Sequence, residues 1–192
     1  MIRLAVAFLA ALLAIAPAVA QMPTQDDLTG VEAPGGTRWA ARLLRAAPVF
    51  AALPDDAINI LAAQTESRLM SIGQLVVHEG DATDSLYVLA AGRFVALREG
   101  RTLASLKVGE IIGEYALLTG APRTATVRAM EDSLVFELPR IVLAPTLRAY
   151  PQVITAMAAQ MAERLKNNDP QGPSQEDLTK ELEQAARKRL GL

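Results

Sequence analysis

The stretch "GEYALLTGAPRTATV", residues 113–127, interrupts a series of short β-type runs, and its reading decides the fold. It follows a strand-like run ending at Ile112 and precedes one starting near Thr124, leaving room for a short helix at residues 115–118 and a turn at residues 120–122. A helix start offers unpaired N–H groups and a partial positive charge, and Gly113 carries no side chain to keep an anion away. Arg123 follows a stiffening proline, and its planar guanidinium suits paired phosphate oxygens better than a lysine would. Glu114 can accept hydrogen bonds from sugar hydroxyls while offsetting part of the local positive charge. The segment could hold one sugar and one phosphate.

Outward from this stretch, the runs "RLMSI", "QLVVHE", "SLYVLA", "RFVALR", "RTLASLK", "EII", "TATVRAM" and "SLVFEL" are short, rich in β-branched and apolar residues, and broken at Gly73, Gly80-Asp81, Gly92 and Glu99-Gly100. Eight such runs predict a closed β-roll or jelly roll. The clearest hairpin is "VALREGRTLASL", where Glu99-Gly100 supplies a two-residue connection.

Helical spacing flanks the strands. Trp39, Leu43 and Leu44 form one stripe, and Ile58, Leu61 and Ala62 form another after the start signal Pro54-Asp55-Asp56. Beyond Pro139, "IVLAPTLRAY" reads as a helix interrupted at Pro145, and Val153, Ile154, Met157, Met161 and Leu165 mark the apolar face of a longer helix. A breaker-rich linker at residues 167–173 leads to a last amphipathic helix, with a capping pair at Ser174 and Asp177 and a thin stripe of Leu178, Leu182, Ala186 and Leu190. The fold class expected is α+β, mainly β: an eight-stranded β-roll flanked by N-terminal helices and a C-terminal lid helix.

Residues 1–20 combine Arg3, an apolar run at residues 4–16, Pro17 and the small residues Ala18, Val19 and Ala20. That is the anatomy of a signal peptide cut before Gln21, or of a membrane anchor, and either would export the remainder, as in a periplasmic protein. Residues 21–36 read as a flexible spacer, 37–166 as the folded domain, and 167–192 as linker and C-terminal helix. With 19 basic and 21 acidic residues the net charge of -2 gives no reason to expect a nucleic-acid polymer as partner. The chain has no cysteine and one histidine, His78, which removes thiolate chemistry and leaves too few ligands for a histidine-rich metal centre.

Gly113-Glu114, Ala116-Leu117-Leu118, Gly120, Pro122-Arg123 and Ala125-Thr126-Val127 resemble the phosphate-binding cassette of the cyclic nucleotide-binding domain family. The resemblance extends through "LLRAAPVFAALPDDAINILA", "HEGDATDSLYVLAAG" and "LRAYPQVITAMAAQMAERL", covering residues 42–166. It implies a cyclic AMP or cyclic GMP ligand, with Glu114 on the ribose 2′-hydroxyl and Arg123 on the exocyclic phosphate oxygens. The main chain at Gly113, Ala116 and Ala125 would line the phosphate. Thr124 matches a position where a hydroxyl contacts phosphate and favours a syn guanine, and Tyr115 stands where the family usually has an aliphatic residue. Base-capping candidates are Met161, Arg164 and Leu165 on the lid helix.

No nucleophile–base constellation is visible, so no catalytic residue and no metal site are assigned. Only 26 residues follow Lys166, too few to lead one to expect an appended DNA-reading domain. The expected function is a non-enzymatic regulatory module that senses a cyclic nucleotide, with a protein partner or homodimer formed through the C-terminal helices and membrane association through the N-terminus. Two alternatives remain: an exported interaction domain with a disused pocket, and a regulatory fragment of a mechanosensitive or cyclic nucleotide-gated channel.

Overall fold

The computed structural model describes residues 36–192; the leader expected at residues 1–20 and all but the last residue of the spacer expected at residues 21–36 lie outside the described residues. Two helices open the fold. In α1 (Thr37–Ala46) Ala40, Ala41, Leu43 and Leu44 are buried, and after a 3-10 turn (Pro48–Phe50) α2 (Asp55–Ala63) buries Ala57, Ile58, Leu61 and Ala62. Asp55 and Asp56 occupy the first turn of α2, where a carboxylate meets the positive end of the helix dipole.

Eight strands follow at the positions of the eight apolar runs: β1 (Glu66–Met70), β2 (Leu75–Val77), β3 (Leu86–Ala91), β4 (Phe94–Arg98), β5 (Arg101–Leu106), β6 (Ile111–Ile112), β7 (Thr126–Ala129) and β8 (Ser133–Leu138). They form two antiparallel four-stranded sheets in the orders β1-β8-β3-β6 and β2-β7-β4-β5. The β4–β5 hairpin pairs Arg98 with Arg101 across Glu99 and Gly100, whose φ values of 49° and 75° are both positive, as a right-twisted two-residue turn requires.

Strand β3 is buried along its whole length, and the two-residue period of a strand explains why. Tyr87 and Leu89 face the interior of the β-roll with Phe94, Leu106, Ile112, Val127 and Val135. Leu86, Val88 and Ala90 face outward into a second, larger core shared with Leu134, Phe136 and Leu138 of β8 and with the helices. One sheet is therefore sandwiched between the roll interior and a helical layer.

That layer consists of α3 (Glu114–Thr119), α4 (Arg140–Ala149), α5 (Gln152–Asn168) and α6 (Gln175–Leu190) together with α1 and α2. Helix α4 runs through Pro145 without interruption, correcting the break expected there. Pro145 lies on the exposed face, so water can satisfy the carbonyl left without its N–H, while buried Leu143, Ala144, Thr146 and Leu147 hold the helix on the core. In α6, Ser174 Oγ accepts from Asp177 N at 3.1 Å, forming the expected cap. Its stripe is not a loose appendage: Leu182, Ala186 and Leu190 belong to the same core as β3 and β8.

Candidate ligand-binding site

The site is built where β6 gives way to α3. Gly113 adopts φ 94°, a left-handed conformation costly for any other residue. A Cβ at this position would collide with Arg123 Nη1 and stand 2.7 Å from Ser85 O. Helix α3 is anchored by buried Ala116, Leu117 and Leu118 and stops at Gly120, φ 79°.

Arg123 is held from several directions. Its main chain is bonded to the turn after β2, with Arg123 N donating to Asp81 O and Gly80 N donating to Arg123 O, each at 2.9 Å. The side chain is only 4% exposed. Nε donates to Thr83 Oγ1 at 2.9 Å and Nη2 to Ser85 O at 2.6 Å, and the guanidinium carbon lies 5.7 Å from the centroid of the Tyr87 ring. Among the described residues Nη1 has no hydrogen-bond partner. Burial lowers the Arg123 pKa because it disfavours the charged form.

Behind Arg123, Tyr87 Oη donates to Glu137 Oε1 at 3.0 Å and Arg68 Nη1 donates to Glu137 Oε2 at 2.9 Å. Burial pushes the Glu137 carboxyl up, but hydrogen bonds from Ser85, Arg68 and Tyr87 outweigh it and leave the group below its ordinary value. These bonds fix Tyr87 as a platform for Arg123.

Glu114, 2% exposed, turns its carboxylate toward α5, where Oε1 accepts from Arg164 Nη1. The same Nη1 donates to Ile111 O at 2.9 Å, and Nη2 reaches Glu110 Oε2 at 3.4 Å. Burial raises the Glu114 pKa despite the opposing pull of Arg164 and Arg123.

These groups border a cavity of about 270 Å³, near the lower end of the roughly 300–1,000 Å³ usual for small-molecule sites. Gly113, Glu114, Tyr115, Ala116, Arg123, Thr124 and Ala125 all line it, so the cassette residues singled out in the sequence converge on one space. Val77, Ala96, Ala104 and Val127 supply an apolar wall, and Met161 and Arg164 come from α5. Tyr115 lines the cavity while its half-buried side chain packs against the helical core. Leu165, the third capping candidate, packs against the core and is not among the lining residues.

Several lining or supporting residues escaped the sequence reading. Arg98 lines the cavity, with Nε donating to Thr124 O at 2.9 Å, and Glu110 joins the Arg164 contacts. Thr83 and Ser85, the supports of Arg123, lie within "HEGDATDSLYVLAAG", where hydroxyl residues beside the start of a buried strand were the available signal.

A chamber that joins a buried, part-unsatisfied arginine to a glycine-cleared backbone and a buried carboxylate accommodates an anion bearing hydroxyls. Residues 67–150 match the cyclic nucleotide-binding domain family. The chain is 34% identical over 128 residues to an uncharacterized NTE family protein of Mycobacterium bovis, covering 66% of this chain and 22% of that protein. It is 30% identical over 131 residues to the cyclic AMP receptor protein of Thermus thermophilus, covering 66% of this chain and 61% of the relative. The crystal structure of the N-terminal domain of a transcriptional regulator from Streptomyces coelicolor A3(2) is 34% identical with a TM-score of 0.53, covering 69% of this chain and 98% of that one. The chain thus spans about a fifth of the mycobacterial protein and three fifths of the Thermus protein. The matched residues include Thr83, Ser85, Glu114 and Arg123, while α5 and its Arg164 lie after them.

Proposed function

We propose that this chain is a non-enzymatic sensor that binds cyclic AMP or cyclic GMP in the cavity between the cassette and α5. The observation that carries the reading is Arg123 Nη1, a buried donor on a cation with no partner among the described residues, beside a glycine whose missing side chain leaves it room. Leaving a buried donor unsatisfied costs about 1–3 kcal/mol, and an exocyclic phosphate oxygen would remove that cost with a charge-assisted bond. Glu114 would receive a ribose hydroxyl, since a carboxylate already bonded by Arg164 keeps further acceptor positions. Met161 and Arg164 would cover the base, and Thr124 would admit guanine as well as adenine. The Thermus thermophilus relative bears the name cyclic AMP receptor protein, which supports the nucleotide class.

The signal would be a population shift: nucleotide engages Glu114 and Arg123, the arrangement of α5 over the cassette changes in weight, and a partner reads that change. The leader read at residues 1–20 points to an exported, periplasmic setting, cleaved or anchored. Hydrogen exchange of the intact chain with millimolar cyclic AMP or cyclic GMP tests the site. Slower exchange in residues 113–125 and α5, absent with inorganic phosphate, is the expected result; unchanged exchange with both nucleotides refutes it.

A further inference from the structure

We infer that the C-terminal helix α6 positions the phosphate-binding arginine, acting through Arg189 and Asp84; the functional side of this inference rests on the cavity being a nucleotide site. Helix α6 packs on α5 and on the cassette helix α3, with Leu182, Ala186 and Leu190 buried. At its end, Arg189 Nη2 donates to Asp84 Oδ2 at 3.0 Å. The same guanidinium points Nη1 at Gly120, the residue that terminates α3, so closely that a Cβ there would collide with Arg189 Nη1. Arg148 Nε donates to Leu190 O at 2.8 Å and fixes the helix end further.

Asp84 stands between Thr83 and Ser85, the two residues on which Arg123 Nε and Nη2 rest. It also accepts from Arg140 Nε of α4 at 2.6 Å. One carboxylate thus ties two helices to the short segment that orients Arg123. If α6 leaves, Asp84 loses one of two cationic partners, Gly120 loses its cover, and the supports of Arg123 gain freedom. Coupling of this kind is reciprocal: nucleotide bound on Arg123 strengthens the docking of α6 as much as docked α6 strengthens nucleotide binding.

The test uses the full chain with Arg189→Ala and Arg189→Lys, each alone and Arg189→Ala also combined with Arg123→Ala. Calorimetric titration with cyclic AMP should show affinity reduced about tenfold by Arg189→Ala and largely retained by Arg189→Lys. In the Arg123→Ala background Arg189→Ala should add nothing, because the group it positions is gone; full additivity overturns the inference. A ligand-free arm separates this inference from the functional reading. The buried Nε–H of Arg123 should give a slowly exchanging NMR resonance that exchanges faster in Arg189→Ala, and an unchanged resonance overturns the positioning role. Failure of the intact chain to bind any cyclic nucleotide instead overturns the functional reading, while faster Nε–H exchange in the variant would still support the structural link.

Discussion

Arg164 on α5 donates through Nη1 to Glu114 Oε1 on α3, fifty positions earlier in the chain. The pair joins α5 directly to the segment that carries Glu114 and Arg123. Glu114 is almost fully buried and Arg164 about a quarter exposed, so the cost of stripping water from the carboxylate is offset mainly by Arg164.

Removing that partner should therefore expose the cost. Arg164→Ala is expected to lower unfolding free energy by about 2 kcal/mol, below the 3–5 kcal/mol of a fully buried broken pair because Arg164 is partly hydrated. Adding Glu114→Gln should restore part of the loss by removing the stranded charge. Urea unfolding of the two single variants and the double variant measures this; purely additive losses would show that the pair is not coupled.

The same carboxylate sets a pH dependence. Its folded pKa is raised, so the folded state holds the proton more tightly than the unfolded chain. The resulting stability is fully present below the ordinary glutamate value of about 4.3 and is lost as pH rises through the raised folded value. Wild type should lose stability relative to Glu114→Gln as pH climbs from about 4. Urea midpoints across that range provide the check, and a relative gain by wild type with rising pH would contradict it.

Gly113→Ala tests the cleared backbone. The left-handed φ of 94° and the collision with Arg123 Nη1 act together, and a loss of about 2–4 kcal/mol is expected in chemical denaturation. A loss below about 0.5 kcal/mol would mean that the backbone and Arg123 shift aside easily.

Pro145→Ala tests the uninterrupted helix. Proline inside a helix costs about 3 kcal/mol relative to alanine in host peptides, but Pro145 is on the exposed face of a helix held by its buried side. Stability should rise by about 1 kcal/mol, read from the thermal midpoint; a fall would show that Pro145 contributes contacts that outweigh the missing bond.

The strands were legible because their signals are local: apolar runs a few residues long, separated at Gly73, Gly80, Gly92 and Gly100, each with positive φ in the structure. The cassette was legible because Gly113, Glu114 and Arg123 fall within one contiguous stretch. Pro145 misled because a local rule about helix interiors gives way when burial on the opposite face holds the helix. Arg189 and Asp84, 105 positions apart, could not be paired from spacing, since neither side of that ion pair carries a local pattern. The role of Arg164 was half legible: its helix face was visible, but its partner Glu114 depends on how α5 folds back over β6.

Parallel calorimetric titrations of the intact chain and Arg123→Ala with cyclic AMP and cyclic GMP bear most directly on the nucleotide site. The intact chain should bind at least one of the two, and Arg123→Ala should weaken that binding about hundredfold, the equivalent of roughly 2.8 kcal/mol for a buried charge-assisted contact. Absence of binding by the intact chain at millimolar nucleotide, or equal binding by the variant, would contradict the assignment of this cavity and of Arg123.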